Sequence, residues 1–293
     1  MAIGIYVAAS DARSNKGTIA LGMIELLSRQ VETVGVFRPV VRSGREDNLI
    51  NTARSRFGIA LPYAMCAGVT YEDVHASAEA ATEEIMARYR ELAARCDAVV
   101  VVGSDYTDVG FPTEFTFNAD LAANLGTPVI NVVTGLNRTP DEIVAALDMS
   151  RRVLKERHAT ELASCITRVA PELVGEVEAR CSAYVLPEVP RLSAPTVRDL
   201  MTACDGRLLR GDEQQLGREV GAIMIGAMSL PNILERLTED AAVVVPADRA
   251  AALVPGLIAA HRAPTFTALS AIILNGGLPL PDAVIKLIDG MNV

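Results

Sequence analysis

Apolar runs alternate with segments of helical period along most of the chain. Residues 3–9 (IGIYVAA) are an unbroken apolar run ending in small polar residues, as in a strand buried on both faces. Residues 17–30 then place Ile19, Leu21, Ile24, Leu26 and Leu27 at helical spacing. A second strand is predicted at 33–40 (TVGVFRPV), stopped by Pro39, and a long helix at 72–95, whose acidic first half and arginine-rich end complement a helix dipole. DAVVVVGSD, 97–105, reads as another strand apolar on both faces. There follow a helix around 117–125, a strand at 127–134, a helix opening at Thr139 and a strand in ATELASCITRVA, 159–170. Such alternation predicts an α/β fold with an open, mostly parallel sheet, right-handed crossovers and helices on both faces.

The texture changes around 183–195, where Pro187, Pro190 and Pro195 fall in an extended stretch that reads as a boundary. Beyond it the alternation restarts: a helix from Thr196, an apolar segment at 221–228, a helix near 231–238, a strand at 241–247, a helix from Asp248, a strand at 269–277 and a helix from Asp282. The expected division is residues 1–185 and a smaller α/β domain at 186–293, which ends where the alternation calls for a further strand.

Composition narrows the function classes. The 27 Lys and Arg against 36 Asp and Glu give a formal charge of -9, so no basic field favours nucleic acid as a partner. The apolar runs are far shorter than the roughly 20 residues of a membrane span, and the N-terminus lacks the charged and apolar regions of a signal peptide. Five scattered cysteines, never in a C-x-x-C pair, read as reduced thiols of a cytoplasmic protein, without disulfides or a metal site. His75, His158 and His261 stand apart, without ligand spacing.

The chemistry gathers in IYVAASDARSNKGTIALG, residues 5–22, a strand, polar loop and helix in the order of a phosphate-binding loop. Against the spacing G-x-x-x-x-G-K-[S/T], Ser10 stands at the first glycine, Asn15 at the second, Lys16 at the lysine and Gly17 at the hydroxyl position. Asn tolerates the left-handed backbone of the second glycine, so the loop shape can persist. Thr18 comes one residue late, which swings its side chain by about 100° around a helix axis. Loss of the hydroxyl removes a magnesium ligand and with it a main source of charge stabilisation in phosphoryl transfer; anion binding at a helix start survives that loss. The candidate nucleotide or anion-binding residues are therefore Ser10, Asp11, Asn15, Lys16, Gly17 and Thr18, with Arg38 and Asp105 at the carboxyl ends of neighbouring strands, and no catalytic or metal-binding residue is assigned. Two readings stay open: a retained site for a nucleotide or other phosphate-bearing ligand without magnesium, or a structural relic. Arg38 has the alternative of a solvated charge, and Asp105 and Asp108 that of an Asx-turn.

AASDARSNKGT, VFRPV, CDAVVVVGSDYTDV and NADLAANLGTPVINVV together resemble the N-terminal region of long-form bacterial phosphate acetyltransferases, particularly actinobacterial ones, a region similar in fold to dethiobiotin synthetase. PADRAAALV, with Asp248 and Arg249, and IILNGG, with Gly276 and Gly277, resemble the DRTGG domain that follows in those enzymes, with Asn275 in place of the motif threonine. The resemblance implies that acyl transfer from acetyl-CoA to phosphate belongs to a C-terminal acyltransferase domain beyond this chain, the stop at Val293 falling inside the DRTGG domain. It implies a regulatory or oligomerisation region acting in a homo-oligomer, with a small-molecule effector as partner. The dethiobiotin synthetase pattern holds Mg²⁺ through a Thr after the loop lysine and a Glu ending the following strand, here Gly17 and Val102; Asp47 in GREDNL remains as a third ligand. The alternatives are a stand-alone ATP-dependent enzyme resembling dethiobiotin synthetase and a sensor that binds without turnover.

Overall fold

The computed structural model describes residues 2–11, 14–104 and 111–291; Asp105 and Asp108 lie outside them. The chain divides into two compact units, Met1–Glu188 and Val189–Val293.

In the first unit the order is β1 (Ile3–Ala9), α1 (Lys16–Ser28), β2 (Val34–Val41), α2 (Asn48–Phe57), α3 (Tyr63–Cys66), β3 (Ala67–Thr70), α4 (Tyr71–Ala76) and α5 (Ala78–Ala93). It continues through β4 (Ala98–Val102), α6 (Phe111–Leu125), β5 (Val129–Thr134), α7 (Pro140–Glu156), β6 (Glu161–Val169), α8 (Val174–Arg180) and β7 (Tyr184–Pro187). Seven strands form one sheet in the order β3-β2-β4-β1-β5-β6-β7, and every pairing is parallel. The fold is thus the open parallel α/β sheet expected of a phosphate-loop protein.

The apolar runs are continuous because helices cover both faces of the sheet. Tyr6 and Ala8 of β1 pack with α5 and α6 side chains such as Ile85, Leu92 and Phe115. Ile5 and Val7 of the same strand pack with Ala20, Ile24 and Leu27 of α1. Side chains alternating across a pleated strand explain this split. Fully burying one such Leu or Ile stabilises by about 1.5–3 kcal/mol, and β4, in which all five residues are buried, lies between β2 and the central strand β1.

Three expectations are corrected. The helix read at 72–95 is two: Ser77 is extended (φ -160) and its side chain accepts from the Ala80 amide, capping α5 while ending α4. The stretch around 183–195, within which the two units divide, also holds an unread strand, β7, an edge strand paired with β6 that tolerates Pro187 because its outer side has no ladder partner among the described residues. Between β2 and α4 lie α2, α3 and β3, three short elements that have no clear period in the sequence.

The second unit holds α9 (Pro190–Ser193), α10 (Val197–Ala203), β8 (Ala222–Ile225), α11 (Leu230–Leu234), β9 (Ala241–Pro246), α12 (Ala250–Arg262), β10 (Leu269–Asn275) and α13 (Asp282–Gly290). Its three strands pair in parallel in the order β10-β9-β8. Val243, Val245 and Leu269 pack with Leu253, Leu257 and Ile288 from the helices, whereas Ile223 and Ile225 of β8 are exposed. No helix among the described residues is long and apolar enough to cross a membrane.

Candidate phosphate-loop site

The loop joining β1 to α1 sits at the carboxyl edge of the larger sheet. Asn15, the N-cap of α1, has φ 53 and ψ 30, the left-handed conformation that a glycine would otherwise supply, and its side chain makes no capping bond. Its carbonyl accepts from the Thr18 amide at 2.9 Å, starting the helix. Because α1 buries Lys16, Ala20, Ile24 and Leu27, the lysine points to the protein side and Thr18 to solvent. The Lys16 ammonium donates to the Ser104 carbonyl just beyond β4.

Gly17 has a packing reason. A Cβ there would lie 2.9 Å from Leu49 Cδ1 on α2, so a serine or threonine at the hydroxyl position needs Leu49 to move.

Other residues fasten the loop from far along the chain. The Asp11 carboxylate accepts both guanidinium arms of Arg138, at 2.8 and 3.1 Å, and the Thr134 amide at 3.3 Å. The Ser10 hydroxyl donates to the same carboxylate at 3.3 Å, and the Ser10 amide to the Val132 carbonyl. Thr167 Oγ1, on β6, donates to the Ser14 carbonyl at 2.6 Å. On the β4 side, Asn118 Oδ1 accepts from the Tyr6 hydroxyl at 2.7 Å and from the Ser104 amide at 3.0 Å. Complete burial raises the Tyr6 phenol far above its usual range, so it stays a neutral donor. Gly103 allows this approach, since a Cβ there would meet Asn118 Oδ1 at 2.6 Å.

Arg38 is not the solvated charge that its place after a strand permitted. It lies within β2 and is buried. Its Nε donates to Asp47 Oδ2 at 3.0 Å and its Nη1 to the carbonyls of Gly103 at 2.6 Å and Val102 at 3.3 Å. Asp47 Oδ1 meanwhile accepts from the amides of Leu49 and Ile50, capping α2. The Asp47 amide donates to the Tyr63 hydroxyl at 2.8 Å, and burial raises that phenol's pKa.

The structure thus gathers Ser10, Asp11, Asn15, Lys16, Gly17, Thr18 and Arg38 around one corner, with Asp105 outside the described residues. The divalent cation implied by the resemblance does not fit them. Gly17 and Val102 offer no side-chain oxygen, and both Asp47 oxygens already hold donors. Among the described residues no three His, Cys, Asp or Glu side chains stand close enough to hold a metal. Sequence reasoning missed Arg138 and Thr167, which reach the loop from more than 100 residues away, and Asn118, which joins Tyr6 of β1 to the residues just beyond β4. Arg138, just ahead of the Thr139 cap, carried the sole signal: a cation at the carboxyl end of a central strand.

Comparison with known sequences decides the family. The AAA domain family matches residues 3–196. The chain belongs to that family. A DRTGG domain matches residues 199–293. The phosphate acetyltransferase of Nitratidesulfovibrio vulgaris is 29% identical over 99% of this chain and 44% of its own length. That of Synechocystis is 25% identical, again over 99% of this chain and 44% of its own. The chain therefore spans less than half the length of these curated relatives, and the resemblance to a phosphate acetyltransferase N-terminal region holds. Among solved structures, a chain of the MinC:MinD cell division protein complex of Aquifex aeolicus aligns with 66% of this chain and 84% of its own, at 14% identity and a TM-score of 0.41. That likeness is too distant to bear on function.

Proposed function

We propose that this AAA domain and its DRTGG companion form a non-catalytic, regulatory and assembly region of a cytoplasmic phosphate acetyltransferase, whose acyltransferase domain lies elsewhere in the full protein. The supporting observation is the state of the corner itself. The positions expected to grip magnesium are Gly17 and Val102, and the two buried cations, Lys16 and Arg38, are bonded to carbonyls at the end of β4. Phosphoryl transfer without a bridging metal loses the charge neutralisation on which it chiefly depends. The region's work is then to hold subunits of a homo-oligomer together and to pass the binding of a small effector to the distant active site.

A second reading, ligand binding without turnover, is favoured by Asn15. The left-handed turn and the uncapped start of α1 keep a geometry suited to a phosphate group. In this reading Lys16 supplies charge, and Ser10, Thr18 and the α1 amides supply donors. Incubating the chain with ATP and Mg²⁺ tests both readings. Neither predicts phosphate release, and ATP-dependent thermal stabilisation without release selects the second. Metal-dependent release abolished by Lys16→Ala would instead establish an ATP-dependent enzyme.

A further inference from the structure

The misfit between this corner and a divalent cation has a positive counterpart. Among the described residues, Arg38 donates to Asp47 Oδ2 and to the carbonyls of Val102 and Gly103. Carboxylate and backbone carbonyl oxygens are the ligands a hard divalent ion takes. Asp47 is the carboxylate that the resemblance keeps as a metal ligand, and the two carbonyls lie at the end of β4, where Val102 stands in place of the Glu whose side chain the resemblance assigns to Mg²⁺. Arg38 reaches that place because it stands one residue beyond Phe37, which pairs with Val101 of β4. The planar guanidinium fork can serve several oxygens at once and stays charged at any physiological pH.

We propose that the Arg38 guanidinium is a built-in replacement for the divalent cation, held by Asp47 and by strand-end carbonyls at the place where the resemblance puts a metal. A metal and a guanidinium cannot share three oxygens, because they exclude each other by size and by charge. Any phosphate-bearing ligand at the start of α1 therefore binds without Mg²⁺. The inference rests on the reading of this corner as a phosphate loop that has lost its metal chemistry, and it adds what took the metal's place.

Thermal unfolding of the whole chain with and without millimolar Mn²⁺, a probe for hard oxygen sites, tests it. The unaltered chain should be indifferent to Mn²⁺. Arg38→Ala, which vacates the three oxygens, should unfold at lower temperature and regain roughly 2–3 °C in Mn²⁺. Adding Asp47→Asn, which keeps a capping oxygen but removes the charge, should abolish that gain. Arg38→Lys keeps a cation in place and should stay indifferent, which decides the matter if Arg38→Ala does not fold. Stabilisation of the unaltered chain or of Arg38→Lys by Mn²⁺ overturns the proposal, as does a folded Arg38→Ala chain that gains nothing. Mn²⁺ stabilisation of the unaltered chain without phosphate release from ATP overturns this inference alone; metal-dependent release overturns the reading beneath it as well.

Discussion

The two units carry their motif residues near the carboxyl ends of parallel strands, yet treat them in opposite ways. In the first unit Lys16 and Arg38 are 6% and 7% exposed and bonded to the strand ends. In the second, Asp248 and Arg249, which follow β9, are exposed, and Arg249 makes a bond of 2.5 Å to the Ala227 carbonyl. Gly276 and Gly277, which follow β10, both have positive φ and open space where a side chain would stand. Burial decides the difference. A charge taken out of water needs its partners at all times, so the first corner is part of what holds its unit together. The second corner is a surface that its own unit can spare.

The largest effect should come from Asp47→Ala. It removes the carboxylate that neutralises a buried guanidinium, and with it the α2 cap, and should cost the first unit about 3–5 kcal/mol in denaturant unfolding. A loss below about 1 kcal/mol would erase the contrast between the corners. Arg138→Ala breaks the bidentate clamp on Asp11. Because these side chains are 28% and 18% exposed, solvent screening holds the expected loss to about 1 kcal/mol. Hydrogen exchange should localise it to the amides of the β1–α1 loop and the start of α7.

The smallest effect belongs to the second unit and has a sign. His261 Nδ1 accepts the Leu269 amide at 3.0 Å, so the fold holds the neutral ring. Burial and, secondarily, the nearby Arg218 and Arg262 lower its pKa below the ordinary 6.5. The unfolded chain therefore takes up the proton first. The contribution is complete above about pH 6.5 and declines as pH falls from there towards the folded-state value. Unfolding of the second unit between pH 7.5 and 5 should show this decline, and His261→Gln should flatten it.

How much could be read in advance followed from how local each cause is. β1 and β4 were legible because a strand covered on both faces must be apolar throughout, and α7 because Thr139, Pro140 and Glu142 form a capping box with Pro at the first turn. β7 was hidden because prolines that read as a linker also suit an edge strand. The break at Ser77 was hidden because a serine cap needs neither Gly nor Pro. In the corner, Asn15 and Gly17 could be read from spacing alone. The burial of Arg38 and the clamp from Arg138 could not, since each depends on strand order and on partners distant in the chain.

The central claim is that Lys16 serves the fold rather than a reaction. Measuring unfolding temperature and ATP-dependent phosphate release on the same samples, for the unaltered chain and for Lys16→Ala in Mg²⁺, tests it most directly. The account predicts a lower unfolding midpoint for Lys16→Ala and background phosphate release from both. Equal midpoints, with phosphate release present in the unaltered chain and absent from the variant, would contradict it.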